Sequence, residues 1–293
     1  MTVREIIVKR IVESLENGTP PWRKTWKRGI PKNFVSKRKY QGINALLLAF
    51  AETEYPLFLT WNQIKQLEGR IKNDENGDML SGYIVVLYKT IEKEVENKTT
   101  GNLEIEEVSF YRYYRVWALS DVEGISYEPD GEDILLDPNT KLEKAEEIIT
   151  KAKQFVQIVH NNSGSACYYP MLDKIEMPAI GHYETPDAYY ATAFHEIIHS
   201  TGIPKRLNRY SVGSGAQEKH EYGVEELVAE IGACFLCAEA GIDIENVLPV
   251  STSYIDGWVK KIEEKPTIIF EAVRKAKEAV AYLLGCEIEE KGE

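Results

Sequence analysis

Apolar residues recur at helical spacing over residues 2–16, at Val3, Ile6, Ile7, Ile11, Val12 and Leu15, and predict an amphipathic helix. Asn17-Gly18 stops it, and Pro20-Pro21 begins an extended stretch. INALLLAFAE, residues 43–52, predicts a second, buried helix, and FLTWNQIKQLEG a third with Thr60 as a candidate N-cap. SGYIVVLYKT and VSFYRYYRVWALS predict strands. An acidic stretch with Gly and Pro, residues 121–140, marks a domain boundary. LEKAEEIITKAKQFVQIVH then predicts a helix, and ACYYPMLDKIEMP a strand, a turn and a second strand. A further helix begins at Thr185-Pro186-Asp187, where a capping residue precedes a proline whose missing N–H costs nothing, and ends at Gly202. Another spans about 221–240 and stops at Gly241, and the C-terminal segment is helical with a break at Pro266. The pattern is α+β in two domains, residues 1–128 and 141–293, joined by an acidic linker at 129–140.

Composition adds a limit and a contrast. Hydrophobic residues make up 43% and charged residues 28%, enough to build a core. No apolar run is long enough to span a bilayer, and the N-terminus reads as neither signal nor transit peptide. Four cysteines in a chain of 293 residues do not form a disulfide framework, so a cytoplasmic setting is expected. The formal net charge is −12, yet residues 1–50 hold eleven Lys/Arg against three Glu. Within 20–44 there is no acid: Arg23, Lys24, Lys27, Arg28, Lys32, Lys37, Arg38 and Lys39 interleave with Trp22, Trp26, Phe34 and Tyr40. Cations that track phosphates, beside rings on which bases stack, predict single-stranded DNA binding without sequence preference. The bland alternative is a basic loop whose aromatics plug a core.

AFHEIIHSTG, residues 193–202, carries the candidate chemistry. His195 and His199 lie one helical turn apart, so both imidazoles can reach one ion, and Glu196 lies beside them. This is the H-E-x-x-H arrangement of metal-assisted hydrolysis, with Glu196 as general base for a metal-activated water. Chance would supply such a match about once in a hundred chains of this composition. Zinc needs a third protein ligand, for which His220, Glu225, Glu226 and Glu230 compete. Glu226 is the expected ligand, with Glu230 one turn on as the acceptor that orients a ligating histidine. Zinc is the expected metal, with manganese or cobalt able to replace it. His220, Tyr222 and Tyr254 are candidates to stabilise negative charge developing on a carbonyl. Cys234 and Cys237 sit in a helical pattern and read as core residues, and His160 and His182 as structural.

Taken together, PPWRKTW, the Pro31-x-Asn33 step, YQGINALLL, TWNQI, YYATAFHEIIHSTG, RLNR and EELVAEIGACFLCAEAGI resemble the ArdC-like antirestriction proteins of mobile elements. The resemblance implies an N-terminal single-stranded-DNA-binding domain followed by a zincin-like metallopeptidase domain. It implies His195, His199 and a Glu of the EELVAE helix on the metal, and places Asn33 and Asn44 among the candidate DNA contacts. A protein substrate or a restriction-system component would be a further partner, and no membrane is involved. The turn IKNDENGDM is more acidic than that family's pattern, and IEKEVENKTTGNLEIEE looks like an insertion. Two other readings remain open: a non-enzymatic DNA binder with a structural zinc, and a cytoplasmic peptidase whose basic arm docks proteins.

Overall fold

Thr2 opens helix α1 (Val3–Glu16) through a capping box: its hydroxyl accepts from the Glu5 N–H, and the Glu5 carboxylate accepts from the Thr2 N–H. The computed structural model describes residues 2–18, 20–23, 29–51, 53, 55–96, 103–129, 138–162, 164–209, 218–242, 244 and 252–286. Ile7, Ile11 and Leu15, four apart, form the buried stripe of α1. A 3₁₀ turn at Pro21–Arg23, strand β1 (Lys32–Asn33) and helix α2 (Gly42–Leu48) follow. In FLTWNQIKQLEG, expected as a helix with Thr60 as its N-cap, the residues up to that cap form strand β2 (Leu57–Thr60). The reason is local. Thr60 does cap helix α3 (Trp61–Gln66), and an N-cap residue is itself extended, so what precedes it continues as strand.

Two long strands, β4 (Tyr83–Glu96) and β5 (Leu103–Ala118), pair antiparallel in unbroken register from Tyr83 opposite Val116 to Glu96 opposite Leu103. The segment that looked like an insertion is therefore mostly a prolongation of this hairpin. The sheet order is β1-β2-β5-β4, with β1 parallel to β2. A small ladder joins β3 (Arg70–Ile71) to β6 (Val122–Glu123). Of the expected linker, residues 130–137 lie outside the described residues, while 138–140 are already the first turn of helix α4 (Pro138–Ala152).

The helix expected through His160 ends early. Residues 153–155 turn, and QIVHN becomes strand β7 (Gln157–Asn161), where neighbouring β-branched Ile158 and Val159 suit a pleated surface. It pairs in parallel with β9 (Lys174–Pro178), which pairs antiparallel with the edge strand β8 (Cys167–Tyr169). Helices α5 (Pro186–Ser200), α6 (Glu218–Ala240), α7 (Thr252–Glu264) and α8 (Thr267–Leu284) complete the chain. Thr185 caps α5 by accepting from the Ala188 N–H, with Pro186 inside the first turn.

One hydrophobic core joins α1, Trp22 and part of α2 to α4 through α8, while the N-terminal sheet keeps two smaller clusters of its own. The core thus crosses the boundary read from the sequence. Where α5 meets α6, a Cβ on Gly232 would come within 2.9 Å of the Ile198 side chain. Only glycine there lets α6 approach the metal helix this closely.

Candidate metal centre

On α5 the helical period separates two faces. Phe194, Ile197 and Ile198 are fully buried in the core. His195, Glu196 and His199 occupy the opposite side, where α6 arrives with three acids on two turns. The Nε2 atoms of His195 and His199 lie 3.1 Å apart. Glu226 straddles them, with Oε2 at 3.5 Å from His195 Nε2 and Oε1 at 3.4 Å from His199 Nε2. One ligand atom from each of the three residues falls within 4.8 Å of the other two. Two ligand bonds of about 2.0–2.1 Å at a tetrahedral angle separate their atoms by about 3.3 Å. The donor set therefore fits a divalent ion in size as well as in kind.

The outer contacts are paired. Behind His195, Glu230 Oε2 lies 3.7 Å from Nδ1. Behind His199, Glu225 Oε1 lies 3.6 Å from Nδ1. Each imidazole thus has a carboxylate on the nitrogen turned away from Glu226, the arrangement that fixes which nitrogen keeps its proton. Glu225, a candidate ligand, lies on the Nδ1 side of His199 and is not among the three residues whose ligand atoms converge. Arg209 holds it on both oxygens, Nε to Oε2 at 3.0 Å and Nη2 to Oε1 at 2.6 Å, and also donates to the Ile198 carbonyl and the Thr201 hydroxyl. Arg209 lay within the RLNR segment, but neither its spacing nor its charge tied it to the site.

Electrostatics follow from this crowding. Burial alone pushes the His195 imidazolium down, yet Glu226, Glu230 and Glu196 together push it up to about 10. His199 is likewise raised, by Glu225 and Glu226 against the effect of burial. Burial raises Glu226, but the two histidines pull it well below the usual carboxylate range. Without a cation between them, the surrounding acids favour protonation of the imidazoles, which repel one another across the 3.1 Å between their Nε2 atoms.

Glu196, the expected base, is buried, and its Oε2 accepts from the Tyr168 N–H on β8 at 2.7 Å. The edge strand thereby runs beside the centre. The turn after it is braced by Asp173, whose oxygens accept from Arg206 Nη1 at 2.8 Å and Nη2 at 2.7 Å and from the Tyr168 hydroxyl at 2.8 Å. Of the candidates for charge stabilisation, the side chains of His220, Tyr222 and Tyr254 lie outside the described residues.

The basic segment is redistributed rather than assembled. Trp22, expected to stack on bases, is fully buried and meets Trp258 edge-on at 5.6 Å. Withdrawing such a ring from a core costs about 3–5 kcal/mol, more than the ~1–3 kcal/mol a stacked base returns. Trp22 is a core residue. So is Tyr40, packed on Phe58. Asn44 is also buried; its side chain donates to the Val86 carbonyl at 2.8 Å and accepts from the Val86 N–H at 2.7 Å, tying α2 to β4. Lys39 pairs with Glu239 at 2.6 Å. Lys37 lies over the rings of Phe34 and Tyr127. Lys32 and Asn33 form β1, with Asn33 bonded to Gln63, and Arg38 is exposed. Lys24, Trp26, Lys27 and Arg28 lie outside the described residues, as does the side chain of Arg23. Trp61, given no role in the sequence analysis, is 40% exposed, with the Lys65 ammonium 4.9 Å from its ring centre and its ring against Trp117 at 5.9 Å.

Comparison with known proteins meets this geometry from both ends. Residues 143–275 match a family of zincin-like metallopeptidases, and residues 1–117 match the N-terminal domain of the anti-restriction factor ArdC. The metal-free crystal structure of the antirestriction ArdC protein from plasmid R388 superposes with a TM-score of 0.76 at 27% identity, covering 98% of this chain and 100% of that one. Its Mn(II)-bound structure gives 0.71 at 27% identity, covering 97% and 98%. Two Escherichia coli proteins named DNA primase TraC are 29% and 27% identical over 97% of this chain, which spans only 27% and 20% of their lengths. An uncharacterized protein, y4eC, of Sinorhizobium fredii is 27% identical over 96% of this chain and 91% of its own.

Fold and donor set together define a zincin-like domain built for a divalent metal, preceded by an α+β domain of the ArdC type. The chain belongs to the ArdC-like antirestriction family.

Proposed function

We propose that this protein is an antirestriction factor of a mobile element that binds single-stranded DNA and carries a zinc-dependent peptidase site. The observation that carries the reading is the convergence of His195, His199 and Glu226 with Glu196 alongside. His195, His199 and Glu226 hold the ion; Glu230 and Glu225 orient the two imidazoles. A divalent ion in that position polarises a peptide carbonyl and lowers the pKa of water toward neutrality. Glu196 accepts the proton of the attacking water and delivers it to the leaving amine. The Tyr168 N–H holds one of its oxygens. Strand contact is the work of the N-terminal half, through its cations and the exposed ring of Trp61.

The partners are entering single-stranded DNA and a protein component of the restriction system, met in the cytoplasm. Among the described residues, no helix is long and apolar enough to cross a membrane. A second reading, in which the ion only braces the fold, draws on the core that α1 and Trp22 share with α5 and α6. Glu196→Gln separates the two. The variant should keep stoichiometric zinc by elemental analysis and lose protection of transferred DNA; full protection with zinc retained would leave the peptidase role without support. His195→Ala, measured beside it, should lose the metal.

A further inference from the structure

A second built site lies in the N-terminal half, away from the metal. It is a pocket of about 250 Å³ lined by Asn33, Ser36, Arg38, Tyr40, Gln63 and Tyr114. One wall is the turn after β1, where Lys37 adopts a left-handed backbone conformation (φ 59°). The others are the first turn of α3, through Gln63, and half-buried Tyr114 of β5. The space is below that of a drug-sized ligand and suits one planar ring system.

Its wall chemistry is determined by backbone donors. The Asn33 side-chain oxygen accepts from the N–H groups of Val35 at 3.1 Å and Ser36 at 2.9 Å. The Gln63 side-chain oxygen accepts from the Thr60 N–H at 2.9 Å. A backbone N–H can only donate, so neither amide can be reversed. The two amides also bond reciprocally, Asn33 Nδ2 to Gln63 Oε1 at 3.0 Å and Gln63 Nε2 to Asn33 Oδ1 at 2.9 Å. Both oxygens are thereby occupied, while each NH₂ group keeps one hydrogen beyond the pair. Among the described residues the Arg38 guanidinium has no carboxylate partner. The two amides offer donors and no spare oxygen, beside the hydroxyls of Ser36, Tyr40 and Tyr114 and the Arg38 cation.

We infer that this pocket receives one base of a DNA single strand, with the amide N–H groups of Asn33 and Gln63 on a base carbonyl and Arg38 on the adjoining phosphate. The inference rests on the strand-binding reading above and adds a preference to it. A base with exocyclic oxygens, such as thymine, satisfies the donors; adenine, whose exocyclic group is itself a donor, does so less well.

The test uses the full chain and fluorescent oligonucleotides whose sugars are all abasic, all abasic but for one thymine, or all abasic but for one adenine. The single thymine should tighten binding about tenfold over the fully abasic strand, and adenine by less. Gln63→Glu preserves the helix cap, since Glu serves equally at that position, but replaces a donor with an acceptor. It should abolish the thymine advantage, so that the thymine-bearing and fully abasic strands bind alike. Arg38→Ala should weaken all three strands together. Equal, salt-dependent binding of thymine and abasic strands by the unaltered protein would overturn the base pocket while leaving strand binding intact. Binding of none of them at low salt would overturn both. Tighter binding of the corresponding uridine-bearing RNA would overturn the assignment to DNA.

Discussion

The α5–α6 pair and the segment at 20–44 were both picked out by residue type, and they fared differently. On α5, two histidines and a glutamate within five residues needed only a helix to share a face, and α6 brought its acids to meet them. In 20–44, aromatics and cations had no such local geometry. Trp22 went into the core against Trp258, Asn44 to the backbone of β4, and Lys39 to Glu239. Composition marks a region; spacing within one element marks a site.

The sharpest way to break this comparison is to treat the two tryptophans alike. Trp22→Ala should cost about 3–5 kcal/mol in urea unfolding and lower the stability of both halves together, because its ring sits in the core they share. Trp61→Ala should leave that transition in place and weaken single-strand affinity about tenfold, measured by anisotropy. If Trp22→Ala weakened DNA binding at unchanged stability, the assignment of the two rings would have to be exchanged.

A smaller effect tests whether the acids of α6 divide their labour. Glu225→Gln and Arg209→Lys should lower metal affinity about 10–100-fold by competition with a chelator, with secondary structure retained. Loss of all metal at millimolar supply would make Glu225 a ligand after all.

The smallest effect is a slope. In the metal-free protein His195 is pushed up to about 10 by Glu226, Glu230 and Glu196 against burial. A raised imidazole contributes stability that is full below its unfolded value of about 6.5 and fades as pH rises through 10. Metal must displace that proton, so affinity should climb about tenfold per pH unit for each proton released. A flat profile from neutral pH upward would show that no proton is displaced. Asp173 runs the opposite way: burial raises it, but Arg206, Lys205 and the Tyr168 hydroxyl outweigh that and hold it at about 2. Its brace on the β8–β9 turn therefore persists above the ordinary carboxylate range and is lost as pH falls toward that value.

Much of the architecture was readable because it is encoded within short spans. Thr60 and Thr185 announced their helices, Gly241 and Pro266 their breaks, and SGYIVVLYKT and VSFYRYYRVWALS the inner parts of the two long strands. The errors lay where a short apolar run had no period of its own. QIVHN, expected as helix, is a strand paired with β9, and the residues ahead of the Thr60 cap are a strand paired with β5.

From sequence alone it follows that two imidazoles and a carboxylate share one face of α5 and that acids one turn apart face together on α6, because a helix relates residues three and four apart whatever surrounds it. Only the tertiary structure decided that Glu226 faces both Nε2 atoms while Glu225 and Glu230 stand behind, that Arg209 neutralises one of them, and that Trp22 belongs to the core. Those outcomes depend on how segments distant in the chain pack together, and close packing admits one arrangement among many that residue type alone would allow.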